Sequence, residues 1–287
     1  MKRARFILLS FLVALSCHGK SYSTRTIRIE SGGRLMKMKV YTPKEASGPV
    51  PGVLWIHGGG YMVGGIYMKG MTVAPMLAET GAVVVFPDYR LAWQEPYPAA
   101  LDDCYAALEW MYAHAGEIGI DRERIVVGGE SAGGGLAAAI CLYARDKGEI
   151  PIRAQFPLYP MLDSEDTESS ADNHGKVWNT RRNHWGWRHY LGKAYGTDSV
   201  TKYASPARET DYSNLPPCYT FVQDGEPFYQ ETLTYVRNLQ EAGVEASVDV
   251  YHGDVHAFDM LQPGKDKSKV ARRKLLEAFK KLVKQSI

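Results

Sequence analysis

From residue 25 onward, short apolar runs of strand type are interleaved with longer stretches in which apolar residues return every three or four positions. Such interleaving predicts an α/β sheet with crossing helices, because separated layers would cluster the strands together and the helices apart. Residues 26–30 and 36–41 predict an antiparallel opening pair that turns at Ser31-Gly32-Gly33. Residues 53–57, 83–87, 124–128, 155–159, 219–223 and 247–251 predict six more strands, eight in all. Helical spacing falls near residues 71–80, then over 99–114, where Ala100, Cys104, Ala107, Leu108 and Met111 share a face, and over 131–145, 230–241 and 269–284.

Residues 163–212 break this rhythm. They are polar and aromatic, with Trp178, Trp185, Trp187, Tyr190, Tyr195 and Tyr203 and no strand pattern. A structureless loop of that length is rare inside a compact domain, so the stretch is expected to fold as a helical lid inserted into a core formed by residues 23–162 and 213–287.

The amino terminus carries a different pattern. Lys2-Arg3-Ala4-Arg5 precedes an apolar run over residues 6–15, the charge and hydropathy order of a secretory signal. The run is too short to span a bilayer, which needs about 20 apolar residues. Residues 1–22 are read as an apolar helix that packs over the rest of the protein in a cytoplasmic chain; the alternative is a signal segment of an exported one.

Composition narrows the chemistry. Over 287 residues, 34 Lys and Arg face 32 Asp and Glu, so no bulk field favours nucleic acid or an anionic membrane, and a small neutral partner is expected. Cys17, Cys104, Cys141 and Cys218 lie far apart without a Cys-x-x-Cys pair, which points to small hydrophobes rather than to a metal site or a disulfide framework.

Two glycine motifs then sit at successive strand ends. Gly129-Glu130-Ser131-Ala132-Gly133 falls where the strand at 124–128 runs into the next helix, and glycines two before and two after a serine permit the sharp reversal that exposes a nucleophilic hydroxyl. His57-Gly58-Gly59-Gly60 follows the strand at 53–57; consecutive glycines let backbone N–H groups converge on one oxyanion. Gly59, Gly60 and Ala132, the residue after the serine, are the expected donors. A phosphate-binding reading fails because no Lys follows the last glycine and no Gly-x-Gly-x-x-Gly spacing occurs.

A serine nucleophile needs a base and an acid that orients it. His256, just beyond the eighth strand, is the candidate base, with His252 its nearest rival. The acid is expected after the seventh strand in Gln223-Asp224-Gly225-Glu226-Pro227, where either carboxylate suits the role and spacing alone does not choose. Tyr61, Trp93, Trp178 and Trp185 are candidate walls of the substrate pocket, being bulky residues near the glycine motifs or in the lid.

Taken together, these residues resemble the hormone-sensitive-lipase-like carboxylesterases of the α/β-hydrolase family. The resemblance runs from about residue 50 to the end and includes His57-Gly58-Gly59-Gly60, Asp88-Tyr89-Arg90-Leu91-Ala92, residues 97–103, Gly129 to Gly133, Ser205-Pro206 and His256-Ala257-Phe258, with nucleophile, acid and base in the family's order. It implies an eight-stranded, mostly parallel sheet with a helical lid, and a carboxylesterase of short acyl esters, acetyl to about hexanoyl, that needs no metal or organic cofactor. It also implies Glu226 as the acid, since Glu226-Pro227-Phe228-Tyr229-Gln230-Glu231 fills the family's acid frame with a Glu where relatives carry Asp. A homodimer is implied by analogy. A binding protein of the same fold that has lost catalysis, and a deacetylase of acetylated carbohydrate or natural-product esters, are the alternatives.

Overall fold

The computed structural model describes residues 21–68 and 72–284, so the amino-terminal segment read above as a helix or signal lies outside the described residues. The chain opens with β1 (Tyr22–Ser31) and β2 (Arg34–Pro43), paired antiparallel around Gly32 and Gly33, both at positive φ. It continues through β3 (Val50–Ile56), α1 (Ala74–Ala78), β4 (Val83–Pro87), α2 (Ala99–Ala113), α3 (Ala115–Ile118), β5 (Ile120–Glu130) and α4 (Ala132–Lys147). Then come β6 (Ala154–Leu158), α5 (Thr180–Leu191), β7 (Cys218–Gln223), α6 (Tyr229–Glu241), β8 (Ala246–Tyr251), α7 (Phe258–Leu261) and α8 (Asp266–Lys284).

All eight strands join one sheet in the order β1-β2-β4-β3-β5-β6-β7-β8, antiparallel at β1/β2 and β2/β4 and parallel from β4 to β8. The period-two alternation of the central strands splits them between two cores. Leu54, Ile56, Val83, Val85 and Val127 pack with α2, α4 and α6 on one face. Val53, Trp55, Val84, Phe86 and Val126 pack with α1 and α8 on the other. Because both faces are covered, these strands read as continuous apolar runs, and the three cysteines of the described residues are buried, unpaired members of this interior.

Two elements differ from the sequence expectation. The helix expected near 71–80 is a five-residue turn with Pro75 in its first positions, stopped short of Gly81 at φ +92°. Within 163–212 the helical content is α5 and two 3-10 turns, Gly192–Ala194 and Pro206–Arg208. The rest is ordered by side chains that replace a backbone ladder. The Thr180 hydroxyl donates to the Ser170 carbonyl at 2.6 Å, and Asn173 donates to the carbonyls of Ser169 and Gly225. Among the described residues, no helix is long and apolar enough to cross a membrane.

Candidate active site

Ser131 stands at the junction of β5 and α4 with φ 57° and ψ −119°, a conformation that L residues rarely adopt and that lifts the side chain out of the turn. The flanking glycines make the turn sterically feasible: a Cβ on Gly133 would collide with the carbonyl oxygens of Ile56 and His57, and one on Gly129 with that of Ile56. The Ser131 N–H donates to the Leu158 carbonyl and its own carbonyl accepts from Met161, so the elbow is tied to the end of β6 on both sides.

The glycine loop after β3 lies directly beside it. A Cβ on Gly58 would stand 3.1 Å from the Ser131 Cβ. Gly59 and Gly60 both take positive φ, +112° and +58°, and among the described residues their amides give no hydrogen bond to another backbone group. His57 braces this loop from below. Its imidazole is buried, stacked on Tyr89 at 4.2 Å, and the Tyr89 hydroxyl donates to the His57 carbonyl at 2.9 Å. Burial holds the His57 ring at about 4, well below the usual histidine value, so this ring is neutral at physiological pH. Within the same Asp88-Tyr89-Arg90 motif, Arg90 clasps the buried Asp103 with Nε and Nη2, both at 2.9 Å.

His256 lies past β8, with Nε2 2.9 Å from the Ser131 hydroxyl. Its Nδ1 meets Oε2 of Glu226 in a very short contact, while Oε1 of Glu226 accepts the Gln223 N–H at 2.8 Å. Glu226 is fully buried. Asp224 turns outward instead, accepting from the Gly253 N–H at 2.9 Å and lying 3.0 Å from Nδ1 of His252, which is almost fully exposed. The two carboxylates left open by spacing thus face different histidines. Gln223 also accepts the Val255 N–H through its side chain, fixing the loop that carries His256.

Aromatic rings enclose the imidazole. Phe228 and Tyr159 stand edge-on to it at 5.0 and 5.1 Å, and Trp178 lies 6.4 Å away. Ser131 and His256 are only 6% and 4% exposed. Of the four bulky candidates for the pocket wall, Trp178 is beside the site. Tyr61 is a core residue behind the glycine loop, stacked on Tyr190 at 3.8 Å. Trp93 is 64% exposed, and Trp185 lines an open cleft of about 640 Å³ with Asp172, Arg181, His184 and Arg188. Phe228, Tyr159 and Asp259 were not singled out in the sequence. Their only signal was proximity to strand ends and to His256.

The family model described as the alpha/beta hydrolase fold matches residues 53–260. Esterase LipI of Mycobacterium tuberculosis is 35% identical over 218 residues, 75% of this chain and 67% of its own length. The arylesterase of Saccharolobus solfataricus is 30% identical over 239 residues, covering 82% and 76% of the two chains. Among solved structures, a bacterial heroin esterase superposes with a TM-score of 0.87 at 34% identity, covering 95% of this chain and 87% of its own. The matched span contains both glycine motifs, Glu226 and His256, and the chain belongs to the hormone-sensitive-lipase-like branch of the α/β-hydrolase family.

Proposed function

We propose that this protein is a serine carboxylesterase that cleaves short-chain acyl esters through an acyl-enzyme. One observation carries the reading: a single imidazole bridges the Ser131 hydroxyl and the buried Glu226 carboxylate beside a loop in which Gly59 and Gly60 take positive φ and, among the described residues, give no backbone hydrogen bond. Ser131 attacks the ester carbonyl as Nε2 of His256 takes its proton. Negative charge then develops on the carbonyl oxygen, and the amides of Gly59, Gly60 and Ala132 receive it. His256 returns the proton to the departing alcohol, with Glu226 holding Nδ1–H and balancing the imidazolium. Water enters, His256 deprotonates it, and the acid leaves as Ser131 is regenerated. Names of relatives as esterases support ester hydrolysis as the reaction class.

The short-chain range is supported by the low exposure of Ser131. Turnover of p-nitrophenyl acetate, butyrate, hexanoate, octanoate and dodecanoate by wild type and Ser131→Ala tests both claims. We expect the wild-type rate to fall beyond hexanoate and the variant to lose at least about a thousandfold. An active Ser131→Ala variant would overturn the mechanism, and a rate rising through dodecanoate the acyl range. A Ser131 that a serine-directed phosphonate left unlabelled, together with no ester turnover, would identify a binding protein instead.

A further inference from the structure

The indole of Trp178 occupies an unusual place for a residue of an inserted segment. A Cβ on Gly60 would overlap its six-membered ring, so the ring rests on the bare glycine backbone of the loop beside Ser131. From there it extends toward His256 at 6.4 Å and Phe228 at 6.5 Å. Its Nε1–H donates to Oδ1 of Asn183 at 3.3 Å, and Asn183 is buried in the first turns of α5. A second small residue completes the seat: a Cβ on Gly186 would come within 3.3 Å of the ring and 3.2 Å of the Gly60 carbonyl oxygen. The stretch leading to Trp178 is fastened to the loop bearing Glu226, since the Ser169 hydroxyl donates to the Pro227 carbonyl and Asn173 to that of Gly225. The ring is therefore fixed on both sides.

We infer that Trp178 is the specificity wall on the alcohol side of the site, limiting efficient substrates to esters of small alcohols. The inference rests on the esterase reading above. In that reaction the carbonyl oxygen must point at the amides of the glycine loop, and the alcohol oxygen must lie within reach of Nε2 of His256, which returns its proton. The alcohol chain consequently leaves across the face of His256, where Trp178 and Phe228 stand. Trp178 is the one of these two that also closes over Gly60, so its removal opens space contiguous with the leaving group. The acyl chain, on the opposite side of the carbonyl carbon, does not meet it.

The test holds one half of the ester constant while varying the other, in wild type, Trp178→Ala, the milder Trp178→Phe, and Trp185→Ala as a control on the outer cleft. Acetates of ethanol, butanol, cyclohexanol and 2-naphthol read the alcohol side; p-nitrophenyl acetate, butyrate and hexanoate read the acyl side. Trp178→Ala should raise the kcat/KM ratio of cyclohexyl to ethyl acetate by about tenfold or more, with Trp178→Phe intermediate. The hexanoate-to-acetate ratio should change by less than about threefold, and Trp185→Ala should leave both ratios as in wild type. An unchanged alcohol ratio, or a shift in the acyl ratio of equal size, overturns the assignment. If Trp178→Ala does not fold, Trp178→Phe decides by the same two ratios. Loss of all ester turnover in wild type would instead be a failure of the esterase reading, which these ratios do not touch.

Discussion

The Tyr159 hydroxyl donates to Oδ1 of Asp259 at 3.0 Å, and the ring that carries it stands edge-on to His256. This bond joins the end of β6 to α7, three residues beyond His256, and so pins the segment that carries the candidate base. Asp259 is fully buried, with its carboxyl pushed up to about 6 chiefly by burial. Arg272 stands farther off, its Nε 3.9 Å from Oδ2.

Tyr159→Phe keeps the ring and removes the donor. A buried carboxylate left without that hydrogen bond costs about 1–3 kcal/mol. Urea unfolding at pH 7.5 should show a loss of that order, with ester turnover falling far less than in Glu226 variants. Unchanged stability would mean that Asp259 finds another partner.

Glu130 immediately precedes Ser131 and is fully buried; burial lifts its carboxyl to about 8, against an ordinary 4.5. The folded chain therefore keeps a proton that the unfolded chain releases near 4.5, and the contribution of this group to stability declines as pH rises from 4.5 to 8. Glu130→Gln mimics the protonated form and can still accept the Val73 N–H, which now reaches Oε1 at 2.9 Å. Relative to wild type, the variant should gain stability steadily between pH 5 and pH 8 in urea titrations. A difference independent of pH would refute the assignment.

The two carboxylates after β7 should separate cleanly in turnover. Glu226→Ala removes the partner of Nδ1 on His256 and should lower kcat by about 10²–10⁴-fold. Asp224→Asn keeps an oxygen that can accept the Gly253 N–H and alters a surface pair with His252, and kcat should stay within about twofold of wild type, since exposed ion pairs contribute little. The reverse ranking in p-nitrophenyl acetate assays would move the acid to Asp224.

Gly133→Ala tests the elbow itself. Its new methyl group would press on the carbonyls of Ile56 and His57, backbone atoms that have no room to give. Overpacking of this kind costs about 1–3 kcal/mol or more. Thermal unfolding should register it together with a fall in kcat as Ser131 moves, and an unaltered melting temperature would show that the turn has slack.

Much of this architecture was legible along the chain because it is local. Strands buried on both faces must be short apolar runs, helices against them must repeat every three to four residues, and a strand that reverses into a helix around Ser131 needs its glycines. Those constraints are met within a few neighbouring residues, so they leave a mark in the sequence. What only the tertiary structure decided concerns direction rather than identity. Asp224 and Glu226 are two residues apart, and their roles divide because the Gly253 N–H captures one while the Gln223 N–H and His256 receive the other. Trp93, Trp178 and Trp185 are chemically alike, yet only Trp178 meets the bare backbone of Gly60, because the stretch before it is fastened to the loop of Glu226. Where a side chain points is set by contacts between segments distant along the chain, and no spacing within one segment encodes that.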